Sequence, residues 1–159
     1  MADSVKAFVV PSDGGTVVRG PAGGPTRIMA HTLNTAGTFT FLENVIAPGE
    51  GPPRHVHARE DEMWFVLEGH FRCIADDDLF EAPQGSFVFV PRRTAHCLQN
   101  IGDEPGRVLV MFTPAGMERF FEAHAELPEG PIDPHVYWKL AHASFMDVVG
   151  PPLAVSHPR

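Results

Sequence analysis

Residues 49–69 read GEGPPRHVHAREDEMWFVLEG, and residues 85–100 read GSFVFVPRRTAHCLQN. Each stretch joins a run of β-branched and aromatic residues to glycine or proline, which is the pattern of a short strand and its end. Similar runs at Thr38–Ile46, Phe71–Ala75 and Arg107–Phe112 also end at turn residues. Because no helix separates these runs, the sequence predicts an antiparallel sandwich or barrel.

The length of 159 residues suits one domain with a core of its own. We expect residues 1–35 to form an N-terminal arm and edge strand, and residues 36–113 to form the barrel core. Residues 114–159 are predicted to form C-terminal helices and a tail packed on the barrel. The change from strands to helices is indicated by Thr113-Pro114, which suits a helix start, and by an apolar stripe at helical spacing. That stripe consists of Met117, Phe120, Phe121 and His124.

The composition excludes several classes of partner. The formal net charge is −8 and no basic stripe offsets it, so we expect no nucleic acid as a partner. No stretch is long and apolar enough for a membrane-spanning helix, and no signal segment is evident, so we expect no membrane. Cys73 and Cys97 form no C-x-x-C pair, which predicts two reduced, buried thiols in a cytoplasmic protein.

Three histidines and one glutamate form a candidate metal site. His55 and His57 are two residues apart, so both imidazoles face the same side of a strand. Glu62 joins them if the chain bends at residues 58–61, and His96 comes from a separate strand start. Nitrogen and oxygen donors of this kind suit one divalent ion of Fe, Mn, Ni, Co, Cu or Zn rather than Ca or Mg. Spacing alone leaves open two surface histidines, or a hydrogen-bonded pair of His57 and Glu62.

The same residues carry a resemblance to a known family. Gly49-x5-His55-x-His57-x4-Glu62-x6-Gly69 resembles the first cupin motif at every position. Gly85-x5-Pro91-x-Arg93-x2-His96-x3-Asn100 resembles the second motif at every position except Arg93. The resemblance implies an all-β jelly-roll barrel that holds one metal ion with His55, His57, Glu62 and His96.

Arg93 stands where cupins usually have glycine. Glycine adopts a left-handed turn at little cost, so we expect Arg93 either to be mildly strained or to force a different turn that shifts His96. Two placements of its side chain remain open. It could meet an anionic substrate at the barrel mouth, or it could lie in solvent without a role.

More loosely, the chain is similar to the single-domain cupins described as quercetin 2,3-dioxygenase-like. The stretches PGEGPPRH (48–55), FVLEG (65–69) and PAGMERFF (114–121) carry this likeness. It implies a metal-dependent enzyme that acts on a small aromatic or polyketide-like molecule. The reaction implied by the likeness is an O2-dependent dioxygenation. A redox-neutral isomerase, cyclase or lyase and a non-catalytic small-molecule-binding protein remain open.

Strand parity predicts the pocket and the catalytic group. If Glu62 points inward, Trp64 and Val66 do so too, and these two residues with Arg93 are the predicted substrate pocket. Glu62 is the catalytic candidate, either as a lasting ligand or as a base that takes a proton from the substrate. We also expect a homodimer in which the N-terminal arm crosses onto its partner.

Overall fold

The structure is a computed structural model and describes residues 5–159; residues 1–4, the start of the predicted arm, lie outside the described residues. The strands are β1 (Thr16–Arg19), β2 (Gly23–Ala30), β3 (Thr40–Ile46), β4 (Pro53–His57), β5 (Asp61–Glu68), β6 (His70–Ala75), β7 (Asp78–Pro83), β8 (Phe87–Val90), β9 (His96–Asn100), β10 (Gly106–Thr113) and β11 (Met146–Pro152). The helices are α1 (Glu118–Ala125), α2 (Pro134–Ala143) and the short α3 (Leu153–Ser156).

The strands form two antiparallel sheets that face each other. One sheet has six strands in the order β1-β2-β3-β10-β5-β8, and the other has five in the order β11-β4-β9-β6-β7. Neighbours in each sheet pair antiparallel. This confirms the predicted all-β barrel with short C-terminal helices.

Alternation along the strands determines which residues enter the core. On β5, Glu62, Trp64 and Val66 are buried, whereas Phe65 between them is exposed. Trp64 pairs across the ladder with Val110 of β10, and both belong to the main apolar core. Burying one large apolar side chain contributes about 1.5–3 kcal/mol, so this row strongly favours the register.

The sheets extend beyond the predicted core of residues 36–113. β1 and β2 add to the six-stranded sheet, and β11 forms an edge of the five-stranded sheet. The residues Gly150-Pro151-Pro152, in the region where we expected helices and a tail, close β11. An edge strand tolerates these prolines because its outer backbone groups need no partner in the sheet.

The first C-terminal helix is fixed to the barrel through a buried carboxylate. Glu118 accepts hydrogen bonds from the backbone of Thr32 at 2.9 Å and of Gly116 at 3.0 Å. The hydroxyls of Thr32 and Thr40 donate to it as well. Phe120 belongs to the buried face of the same helix, so Glu118 helps to hold that apolar face against the barrel. None of the helices in residues 5–159 is long and apolar enough to cross a membrane.

Candidate metal centre

The four predicted donors come from both sheets. His55 and His57 lie on β4, and His96 on the adjacent β9 is the register partner of His55. Glu62 lies on β5 in the opposite sheet. The turn at residues 58–60 supplies the bend that the odd spacing between His57 and Glu62 requires.

The donor atoms converge in the buried interior. Nε2 of His96, His57 and His55 lies 2.7, 3.0 and 4.0 Å from Oε2 of Glu62. All four side chains are buried, and their donor atoms lie within 4.8 Å of one another. Two ligands each about 2.1 Å from one ion stand roughly 3 Å apart at a right angle and about 4 Å apart when opposed. The observed separations span this range.

The backbone fixes which nitrogen of two histidines faces the centre. Nδ1 of His55 lies 2.7 Å from the Pro53 carbonyl, and Nδ1 of His96 lies 2.9 Å from the Thr94 carbonyl. A carbonyl oxygen only accepts, so each Nδ1 carries the hydrogen and donates it. The Nε2 atom of a neutral ring then presents its lone pair to Glu62. Such convergent lone pairs repel one another unless a cation or proton lies between them.

His57 is a buried group without a hydrogen bond. Its Nε2 lies 3.0 Å from Glu62, but the geometry is not that of a hydrogen bond, and neither ring nitrogen has such a partner among the described residues. An imidazole deprived of water in this way is destabilising unless a ligand satisfies it. His57 therefore fits a metal-bound state better than a hydrogen-bonded pair.

Glu60 is a site residue that the sequence prediction missed. Its side chain is buried, and its Oε2 lies 3.9 Å from Nδ1 of His57, with both atoms lacking a hydrogen bond. Metal-binding histidines commonly donate their second N–H to a carboxylate, which orients the ring. Spacing alone does not reveal this contact, because it depends on the conformation of the turn between β4 and β5.

Trp64 holds Glu62 in place. The indole Nε1–H donates to Oε1 of Glu62, while Oε2 faces the histidines. One carboxylate oxygen is thus engaged by the protein, and the other is available as a donor. Trp64 also lines the adjoining cavity, so its role as a positioning group comes in addition to the expected contact with substrate.

The charges of the group suit a metal site. Burial alone would raise the pKa of Glu62, but the imidazoles of His57 and His96 outweigh it and hold the pKa well below its usual range. Burial, followed by the neighbouring His96 and His57, holds the pKa of His55 well below its usual range. Burial opposes protonation of His96, yet the hydrogen bond with Glu62 raises its pKa. Metal binding at this group would compete with protonation of His96, because the same Nε2 atom faces both.

Arg93 and Val66 lie outside the cavity. Arg93 has φ of +69°, so it adopts the left-handed turn of the motif glycine, with the mild strain expected. Its backbone N–H donates to the His57 carbonyl at 2.8 Å, which keeps His96 within the donor group. The Arg93 side chain is exposed because this turn directs it to solvent. Val66 is buried in the main core and does not line the cavity.

A small apolar cavity adjoins the donor group. Its volume is about 60 Å³, and His55, His57 and Glu62 lie in its wall. The remaining wall includes aromatic and apolar side chains from both sheets, and residues from the C-terminal region close it. We call these closing residues the helical cover: Met117, Phe120, Phe121 and Tyr137. Small-molecule sites usually measure about 300 Å³ or more, so a multi-ring substrate requires movement of this cover.

Comparison with known proteins identifies the fold. Residues 43–112 match the family model described as a cupin domain. The RmlC-like cupin from Shewanella frigidimarina superposes with a TM-score of 0.60 at 18% identity, covering 71% of this chain and 96% of that chain. At that identity the likeness shows the fold alone, which is the predicted jelly-roll barrel.

Two further similar proteins are named for polyketide synthesis or cyclisation. TcmJ, the tetracenomycin polyketide synthase protein of Streptomyces glaucescens, is 28% identical over 93 residues, covering 58% of this chain and 62% of TcmJ. The polyketide cyclase RemF from Streptomyces resistomycificus has a TM-score of 0.57 at 25% identity, covering 68% of this chain and 80% of RemF. The chain spans about three fifths of the length of curated relatives such as TcmJ. These matches support the cupin superfamily and do not single out the quercetin dioxygenase-like members.

Proposed function

We propose that this chain, whose residues 43–112 match the cupin domain model and lie within a two-sheet β-barrel, is a metal-dependent enzyme that acts on a small aromatic or polyketide-like molecule. The observation that carries the proposal is the buried group of three histidines and one glutamate opening onto an apolar cavity. A divalent transition metal bound there would act as a Lewis acid that makes an enol or phenol of the substrate more acidic.

The chain supplies a dry, aromatic environment for that chemistry. Trp64 and Phe112 from the sheets and Phe120 and Phe121 from the helical cover surround the space in which a planar molecule would lie. Aromatic rings favour offset or edge contacts with such a molecule, and their exclusion of water strengthens the electrostatic interactions at the donor group. Burial raises the pKa of Tyr137, so its hydroxyl stays protonated and is able to donate to a substrate oxygen.

Two roles of Glu62 follow from its surroundings. Its Oε2 carries the lone pairs that face the histidines, and the indole of Trp64 holds the other oxygen. This arrangement favours Glu62 as a fixed donor. The alternative, in which Oε2 takes a proton from the substrate, requires only that this one oxygen be freed.

Among the possible reactions we favour a redox-neutral cyclisation, isomerisation or elimination over dioxygenation. The support comes from RemF, which is described as a polyketide cyclase, and from TcmJ, a polyketide synthase protein. Ring closure by attack of an enol carbon on a carbonyl forms a carbon–carbon bond and returns the enol proton to the new alkoxide. It therefore consumes no oxidant.

The decisive experiment measures metal and oxygen together. We expect protein reconstituted separately with Fe, Mn, Co, Ni, Cu or Zn to retain about one ion per chain by elemental analysis. The loaded forms are then given diketone and polyphenol substrates with and without O2, with an oxygen electrode and mass spectrometry as readouts. Equal turnover in both atmospheres, with a product of unchanged mass or lacking one water, is expected. Stoichiometric O2 uptake would make the protein a dioxygenase, and failure to retain metal would remove the metal site.

Glu62→Gln separates the two roles of the carboxylate. If Glu62 is the base, turnover falls by roughly 10²–10⁴-fold while much of the substrate binding remains. If Glu62 is only a donor, metal affinity falls and the rate per bound ion is preserved. Glu104→Gln, at an exposed loop position, is the matched control and leaves both quantities unchanged.

A further inference from the structure

The six-stranded sheet carries large apolar side chains on the face that points away from the core. Phe87, Phe89 and Phe65 are 65%, 55% and 41% exposed. They alternate with buried residues of the same strands, so they lie on the opposite face from Glu62 and Trp64. Cross-strand pairing aligns them with further apolar residues in two rows. We call these two rows the apolar outer face: Phe89–Met63–Met111–Phe41 and Phe87–Phe65–Leu109.

The apolar outer face supplies much of the apolar area that a dimer interface needs. With roughly 200 Å² for one exposed phenylalanine, the exposed fractions of the three phenylalanines add up to about 320 Å² per chain. A standard homodimer interface takes about 800 Å² from each partner, of which about 520 Å² is apolar. The three rings alone supply more than half of that area, and the partly exposed Met63, Leu109 and Met111 adjoin them.

We propose that the apolar outer face binds a second copy of this chain about a twofold axis. A twofold contact places the same patch on both sides, so each row of rings meets an apolar row of the partner. The patch itself has no charged side chain, which matters because two copies that each carry a net charge of −8 repel one another wherever acidic surfaces meet.

The charges around the patch are also balanced. Three arginines and three carboxylates pair at its margins, with N–O distances between 2.6 and 3.1 Å. A margin that is neutral and carries both signs allows a second copy to approach without net repulsion. The pairs are Arg27–Glu43, Arg107–Glu43, Arg107–Glu68 and Arg92–Asp61.

This contact differs from the arm-mediated dimer that the sequence suggested. Residues 16–19 and 23–30 of the predicted arm are strands of the chain's own sheet, so only the residues before Thr16 are free to cross. Phe8 and Val9 in that segment are exposed, which leaves the arm as the competing contact. A truncation that removes residues 1–11 and keeps both strands distinguishes the two arrangements.

The test is the mass in solution at micromolar concentration. Light scattering is expected to give twice the chain mass of 17.4 kDa for the unaltered protein and for the truncated one. Phe87→Glu combined with Phe89→Glu introduces charges on both sides of the contact and is expected to give a monomer. Leu33→Glu, at a position 87% exposed elsewhere, is the control and remains dimeric.

A second measurement guards against misfolding of the double variant. Hydrogen exchange of the unaltered protein is followed while it is diluted, and amides of β8 and β5 are expected to lose protection as the dimer dissociates. The proposal would be overturned by any of three results: a monomer at micromolar concentration, a double variant that stays dimeric, or β8 amides whose protection does not change on dilution. A truncated protein that becomes monomeric would assign the contact to the arm instead.

Discussion

Replacing Glu118 by Gln tests whether the helical cover depends on one buried carboxylate. Burial alone would raise the pKa of Glu118, but hydrogen bonds from Thr32 and Thr40 outweigh it and lower the pKa to about 2. The ordinary value is 4.5, and one unit of pKa is worth about 1.36 kcal/mol, so the ionised form stabilises the fold by about 3 kcal/mol. The glutamine amide loses this contribution. Its NH2 group is a donor, and it would face the same donor groups whose hydrogen bonds the carboxylate of Glu118 accepts.

The pH dependence follows from the sign of the shift. A carboxyl whose pKa is lowered by folding contributes its full stability above about pH 4.5, and this contribution disappears as the pH falls towards 2. At neutral pH the free energy of unfolding of the variant should therefore be about 3 kcal/mol lower than that of the unaltered protein. Near pH 2 the difference should shrink to below about 1 kcal/mol, because the carboxyl is then protonated in the unfolded chain and about half protonated in the folded one.

The assay is urea unfolding of metal-free protein at fixed protein concentration, followed by tryptophan fluorescence from neutral to acidic pH. Metal is removed because the donor histidines also titrate. Glu122→Gln, on the exposed side of the same helix, is the matched control and should change the free energy of unfolding little. A Glu118→Gln protein as stable as the control at neutral pH, or a deficit that persists undiminished in acid, would refute the reasoning.

Three further predictions concern the interior. Glu60→Gln should weaken metal binding by about 10–100-fold in chelator competition, because the amide orients His57 less well than a carboxylate; an unchanged dissociation constant would leave Glu60 without a role in the site. Trp64→Phe removes the N–H that fixes Glu62 and should also weaken metal binding by about tenfold, whereas Trp138→Phe on the exposed side of α2 should not. Burial raises the pKa of Cys73 to about 12 and of Cys97 to about 11, so iodoacetamide should alkylate neither thiol in the folded protein at pH 8 and both in urea; rapid labelling of the folded protein would show that the core opens readily.

Two of the strands that the sequence predicted show strong alternation between buried and less buried residues. EMWFVL in β5 and RVLVMF in β10 each bury every second residue, and the register between them follows from that pattern. β7 is different, because its first four residues are all exposed and give no periodic signal. β11 ends in Gly-Pro-Pro, and only its position at a sheet edge makes that composition compatible with a strand.

The donor residues were predictable, but their supporting contacts were not. Motif spacing brings His55, His57, Glu62 and His96 together, and the structure shows them as one buried group. The contact of Glu60 with His57 depends on the conformation of a tight turn, and the bond from Trp64 to Glu62 depends on a rotamer. Linear spacing contains neither kind of information. The helical cover was likewise predicted as an apolar stripe, whereas its position over the cavity is a tertiary property.

The division of the donors between the two sheets links metal binding to the stability of the whole barrel. Three histidines lie in one sheet and Glu62 lies in the other, so an ion held by all four would join the sheets in the way that a cross-link does. Ligand at about a hundred times its dissociation constant adds about 2.7 kcal/mol to the free energy of unfolding. Bound metal at that concentration would therefore offset much of the stability lost in a core substitution such as Leu42→Ala, although Leu42 is not one of the donors. With an ion bound in this way, the melting temperature would depend on free metal in the buffer as well as on the packing of the core.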